Sequence, residues 1–186
     1  MPHIHQTSDV VIVERKRPDH RLVLGDGRRL QIRPVGTEDV DRLAALFATL
    51  SPESRYRRFL SPKPRLEPRE LAYLTNLDYV DHDALAAVDE ARDSIVGVAR
   101  YARDPSRPST AHIAFAVADE LQGLGIGTML AELTVQRAIE SGYELLIATT
   151  LWDNRPARAL LRRLGFRASG SDQGVVELEL PLGARS

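Results

Sequence analysis

Gln122-Gly-Leu-Gly-Ile-Gly127 lies between an apolar run, His112-Ile-Ala-Phe-Ala-Val-Ala118, and an amphipathic stretch reaching about Ser141. The apolar run reads as a buried strand and the amphipathic stretch as a helix. Glycines at 123, 125 and 127 remove side chains where backbone N–H groups must approach a ligand closely. A helix N-terminus adds unpaired N–H groups and a positive dipole end, which favour a phosphate or pyrophosphate. From the loop alone a second reading stays open, that of a glycine turn packing a helix on a sheet. A Rossmann site fits poorly, because the spacing is G-x-G-x-G and the loop falls late in the chain, after several strands. Asp153, the acid after the following strand, also lies beyond the ~20 residues expected for a ribose contact. A phosphate-binding P-loop fails for want of Gly-Lys-Ser/Thr.

Upstream, Arg21 to Pro34 carries two alternating runs around Gly25-Asp26-Gly27, the pattern of a β-hairpin. Thr37 is placed to cap a helix with Glu38 and Asp39 in its first turn, and Val40, Leu43, Leu46, Phe47 and Leu50 follow at helical spacing. Ser51-Pro52 opens a second helix to Phe59, and Glu67 to Leu74 reads as a third. Asp83–Val88, Ser94–Tyr101 and His112–Ala118 then form an expected antiparallel meander. Downstream, a strand (Glu144–Leu151), a helix (about Arg155–Leu164) and a last strand (Gly174–Leu180) complete the chain. The expected class is α+β, with one mixed, largely antiparallel β-sheet flanked by helices.

The chain has 186 residues, room for a single core. Residues 1–18 are expected to form a loosely ordered tail, in which His3 and His5 read as incidental, and 19–186 one domain. The apolar fraction of 43% and charged fraction of 27% are those of an ordinary globular protein. Cysteine is absent, which excludes a disulfide scaffold, a zinc–cysteine site and a thiol nucleophile. A net charge of −1 gives no electrostatic reason to seek nucleic acid. No apolar run approaches the ~20 residues of a membrane span, and the first twenty residues lack a signal-peptide pattern. A cytoplasmic protein without a metal is the default expectation. Only Lys16 and Lys63 are lysines and the other 23 basic residues are arginines, which reads as coding bias.

Gln122, Gly125 and Gly127 match, position for position, the Q/R-x-x-G-x-G/A motif after the fourth strand of the GNAT acetyltransferase superfamily. Asn154-Arg-Pro-Ala-Arg-Ala-Leu-Leu-Arg-Arg-Leu-Gly165-Phe166 matches the asparagine, helix and Gly-Phe that follow there. Over roughly residues 30 to 180 the chain therefore resembles that superfamily. Ser51-Pro-Glu-Ser-Arg-Tyr-Arg-Arg-Phe59, Leu74-Thr-Asn-Leu-Asp78 and Ile95-Val-Gly-Val-Ala-Arg-Tyr101 look like the Pat-type protein lysine acetyltransferases. Some Pat-type members carry a fused nucleotide-binding or synthetase-like domain, which a chain of this length is not expected to hold.

The resemblance implies the GNAT fold with splayed central strands, and acetyl-CoA as donor. It puts the pyrophosphate on backbone N–H groups of Gly123, Leu124, Gly125, Ile126, Gly127 and Thr128, beside Gln122. The pantetheine arm would run along the backbone of Phe115, Ala116 and Val117, and an N–H at Val117 would meet the developing oxyanion. Asn154 is implied as a pantetheine contact, and reads equally as a helix N-cap. Direct transfer needs a neutral amine, whereas a lysine ammonium has a pKa of about 10.4, so a base is expected. His112 occupies the position of the Pat-type glutamate; it is read either as that base or as a hydrogen-bonded structural residue. Asp119 and Glu120 are nearby alternatives, read as solvated. Leu161 stands where many members place a tyrosine acid, and a thiolate of pKa about 8.5 is a tolerable leaving group without it. Tyr56, Tyr101 and Tyr143 are not assigned that role. Arg55, Tyr56 and Arg58 are expected on the acceptor wall or on a solvated face, and Trp152 in packing.

Three functions follow as expectations. The first is acetyl transfer to a protein lysine and the second is acetyl transfer to a small amine. The third is a weakly catalytic acetyl-CoA-binding sensor. A homodimer is left open.

Overall fold

The computed structural model describes residues 20–183, so the expected tail with His3 and His5 lies outside the described residues. Eight strands form one sheet in the order β1-β2-β3-β4-β5-β6-β8-β7. The strands are β1 (His20–Val23), β2 (Arg29–Pro34), β3 (His82–Asp89), β4 (Ser94–Asp104), β5 (Arg107–Val117), β6 (Leu145–Leu151), β7 (Arg167–Asp172) and β8 (Val175–Pro181). Every neighbouring pair is antiparallel except β5 and β6, which run parallel. That exception follows from connectivity, since a helix crosses over between those two strands. The hairpin and the meander stand where the turn residues and the alternation place them. β7 is an addition that sequence reading missed: every one of its residues is exposed, so no buried face stamped a period on Arg-Ala-Ser-Gly-Ser-Asp.

The helices are α1 (Val40–Thr49), α2 (Pro52–Phe59), α3 (Pro68–Thr75), α4 (Ile126–Glu140) and α5 (Arg155–Arg163). Two packed layers cover the sheet. On one face Leu43 and Leu46 of α1 and Leu71 and Leu74 of α3 pack on Ala84, Ala86 and Val98. On the other, Ile126 and Leu130 of α4 pack on Leu85 and Ala99, and Ala138 and Leu161 pack with Tyr101, Ile113 and Leu178. Asp83 of β3 and Arg137 of α4 join the second layer through a buried ion pair of 2.6 Å. No helix among the described residues is long and apolar enough to cross a membrane.

The start of α1 differs from the expectation. Thr37–Asp39 form a separate 3₁₀ turn, and Thr37 is not the cap. That turn carries Asp39 inward to full burial, where its carboxylate accepts from both terminal nitrogens of Arg33 at 2.7 Å and from the Gly36 N–H at 3.0 Å. The acidic side chain answers an arginine of β2 as well as a helix dipole. α2 opens at Ser51-Pro52 as expected, and Ser51 is its cap, its hydroxyl oxygen accepting from the Ser54 N–H at 3.1 Å.

Candidate active site

The site begins where two strands part. β5 and β6 pair from Thr110↔Leu145 to Ile113↔Ala148 and no further, although β5 continues to Val117 and β6 to Leu151. One edge of residues 114–117 is therefore free of a neighbouring strand. Successive amides along a strand face alternate sides. The Ala118 N–H donates to Val96 on β4, so the amides of Val117 and Phe115 turn to the open edge, and that of Ala116 turns to Val98. The Val117 carbonyl on that edge accepts from the Gln122 side-chain amide at 3.1 Å. Gln122 thus braces the strand end against the glycine loop.

Below the gap, Gly123 and Gly125 have φ of +79° and +88°, and a Cβ built on either meets nothing within 4 Å. These left-handed angles suit glycine and turn consecutive N–H groups toward a common concavity. Gly125 is the N-cap of α4, a helix of 15 residues whose first N–H groups, from Ile126 to Thr128, have no partner one turn back. Free N–H groups at a helix N-terminus beside open space form a concave cradle suited to an anion. Arg163 reaches over from α5 to donate to the Thr128 hydroxyl at 2.8 Å, placing a cation beside the cradle.

A cavity of about 460 Å³ joins these parts. It is lined by Ile113–Val117, by Gln122, Gly123, Gly125, Gly127 and Thr128, by Ala148–Thr150 and by Asn154 with the inner face of α5. Asn154 is an N-cap, its oxygen accepting from the Ala157 N–H at 3.3 Å, and it also lines the cavity. Leu124 and Ile126 take the other side of the loop: Leu124 is exposed and Ile126 is buried under the sheet. Pro156, Leu160 and Arg163 were missed, although their spacing of four and three residues marks one helix face turned to the gap. Ser54, Arg57 and Arg58 of α2 roof the gap from the opposite layer. Arg57 was missed too, because helical spacing alone does not say which arginine of the run faces inward.

His112 lies apart from the cradle, in a second cavity of about 310 Å³ that shares Arg58 and Ala114 with the first. Its Nε2 stands 3.1 Å from Asp104 Oδ2. Asp104 also accepts from the hydroxyl and N–H of Ser106 and from Arg107. The Ser106 hydroxyl and N–H, then His112 and Arg107, hold this carboxyl well below the usual range, so it accepts and cannot donate. Nε2 therefore carries the proton shared with Asp104, and in the neutral ring Nδ1 is the nitrogen with the lone pair.

Asp119 is engaged rather than solvated. Its Oδ2 accepts from the Ser51 N–H at 2.9 Å, tying the loop to the start of α2. Burial pushes its carboxyl up, yet Ser54 and Ser51 outweigh that and hold it below its ordinary value. Glu120 is exposed. Leu161 is buried in the cavity wall at the position implied for a tyrosine acid. Tyr101 and Tyr143 are buried elsewhere, Tyr56 is exposed, and none of the three lines the cavity. Arg55 bonds the carbonyls of Ala48 and Pro64. Trp152, expected in packing, is 60% exposed, with the Arg158 guanidinium 4.0 Å from its ring centroid. Among the described residues, no group of three or more His, Asp and Glu side chains could hold a metal ion.

Comparison with known proteins agrees with this geometry. Residues 47–166 match the profile of the Acetyltransferase (GNAT) family. The acetyltransferase Pat of Mycolicibacterium smegmatis is 33% identical over 83% of this chain, and the chain spans 46% of that relative's length. An acetyltransferase of Pseudomonas aeruginosa is 32% identical over 77% of each chain. The crystal structure of the GNAT domain of S. lividans PAT superposes with a TM-score of 0.80 at 30% identity, covering 87% of this chain and 96% of that one. Splayed strands, a glycine cradle at a helix N-terminus and two matched motifs thus meet in one place, and the chain belongs to the GNAT family of acetyltransferases.

Proposed function

We propose that this enzyme binds acetyl-CoA in the larger cavity and passes the acetyl group directly to the side-chain amine of a protein lysine. One observation carries the reading: β5 leaves β6 at Ile113, opening the Phe115 and Val117 amides directly above the glycine cradle. The cradle from Gly123 to Thr128 takes the pyrophosphate, and Arg57 and Arg163 add positive charge on either side. The pantetheine arm lies along Phe115 and Val117 as an added strand would, with Ala116 and Asn154 lining its path. The lysine acceptor is suggested by the likeness to the Pat proteins.

The chain's own groups supply the transfer. His112, oriented by Asp104, takes a proton from the acceptor ammonium through Nδ1. The neutral nitrogen attacks the thioester carbonyl carbon, and the carbonyl oxygen gains charge that the Val117 N–H stabilises. The C–S bond then breaks, the attacking nitrogen gives up its second proton to leave the neutral amide, and the thiolate takes up that proton as free CoA. Thiol release, followed with acetyl-CoA and a lysine peptide, tests the reading. Saturable release with acetyl-lysine as product is expected, and acetyl-CoA binding without turnover of any amine would overturn it. That second outcome fits a CoA-binding module, the alternative that the apolar Leu161 in the cavity wall favours.

A further inference from the structure

The second cavity is walled by Arg58 and Phe59 of α2, Tyr73 of α3, Arg100 of β4 and His112 of β5. Arg100 is only 6% exposed. Its two terminal nitrogens each lie 3.4 Å from the Leu74 carbonyl, and one lies 3.1 Å from His82 Nε2, while its Nε has no partner. No carboxylate of the described residues pairs with it. Burial and the Arg100 charge push His82 down to about 4, so that imidazole is neutral and offsets nothing. Arg58 is half-buried, makes no hydrogen bond or ion pair to any described residue, and rests 4.9 Å from the Phe59 ring centroid. Glu70 also lines this cavity, but its carboxylate is taken by Lys63 and by the Glu67 N–H. Burial lowers Arg58 to about 10 and Arg100 to about 9, and both remain charged at neutral pH.

Two desolvated cations facing one cavity whose only acid is already paired elsewhere are unfavourable unless an anion joins them. We infer that the cavity is an anion subsite of the acceptor, so that the preferred amine carries a carboxylate which seats between Arg58 and Arg100. This rests on reading the cavity as the acceptor side of the transfer site, which it adjoins through Arg58 and Ala114. The arrangement has a chemical use. A cationic wall lowers the pKa of a nearby ammonium, assisting its deprotonation, and the carboxylate keeps the acceptor from being repelled. The carboxylate comes either from an acidic side chain beside a target lysine or from the α-carboxylate of a small amino acid.

Matched acceptors test this. Blocked peptides with Asp or Asn beside the lysine form one arm, and free amino acids against their amides form the other, each read as thiol release. The acid is expected to exceed its amide by about tenfold to a hundredfold in kcat/KM, the range of a charge-assisted hydrogen bond. A preference in the peptide arm assigns the flanking side chain, and one in the amino-acid arm assigns the α-carboxylate. R58Q and R100Q should bring the ratio to about one, with Tm followed alongside. Should R100Q not fold, R58Q alone decides. Calorimetric binding of propionate, which has no amine, separates this inference from the transfer reading. Propionate binding that is lost in R58Q upholds the subsite even if no amine is acetylated. Equal acid and amide rates in the wild type, or a ratio unchanged in R58Q, overturn it.

Discussion

His112 and Asp104 sit at the scale where proton movement is decided. Asp104 fixes the imidazole tautomer by accepting from Nε2, and it is itself fixed by Ser106 and Arg107. If Nδ1 is the base, His112→Ala lowers kcat by about a hundredfold or more and abolishes the acidic limb of the pH–rate profile. Asp104→Asn retains the ring but frees its tautomer, so it should lose rate with acetyl-CoA binding intact. An unchanged pH–rate profile in His112→Ala assigns the proton elsewhere. The motif residues were legible in the sequence because their chemistry is local: a glycine needed at positive φ, a cap at a helix start. His112 could be marked only by position, since its partner Asp104 reaches it across the β4–β5 turn. Arg58 and Arg100 lie 42 residues apart in the chain, and no local spacing announces that they share a cavity.

The elements explain which parts of the fold were readable. β2 and α4 bury one face and show a period, whereas β3 and most of β4 are buried on both faces and read instead as short apolar runs between turns. β7 buries nothing and left no period to read. The splay itself was implied by family resemblance, since the point where two parallel strands stop pairing has no sequence signature of its own. β3 and α4 are held in register beneath the site by Asp83 and Arg137, with side chains only 1% and 9% exposed. Asp83→Ala leaves the Arg137 guanidinium buried beside a lost partner. It should cost about 3–5 kcal/mol of stability, seen as a lower denaturant midpoint. A loss below about 1 kcal/mol would mean that solvent reaches Arg137 there.

At the scale of the whole molecule, the sheet divides the work between its faces. α4 and α5 shape the cradle on one side, α2 and α3 shape the cationic cavity on the other, and the β5–β6 gap connects them. Acid stability is a property of the same assembly. Burial pushes Asp39 up, but Arg33, the Gly36 N–H and Arg42 outweigh it and hold the carboxyl below its ordinary value. A carboxyl with a depressed folded pKa stabilises above its unfolded value of about 3.9, and that stability is lost as pH falls through the folded one. Asp39→Asn should therefore be less stable than wild type at pH 7 and lose less on acidification, as read from denaturation midpoints down to about pH 3. Parallel curves would mean that Asp39 does not contribute to the acid dependence of stability. Acetyl-CoA is expected to lie along the open edge of β5, above the glycine cradle. Residue-resolved amide hydrogen exchange, with and without acetyl-CoA, addresses this placement most directly. The Phe115 and Val117 amides and those of Gly123 to Thr128 are predicted to gain protection together on binding; saturable binding that leaves Phe115 and Val117 exchanging as before would contradict it.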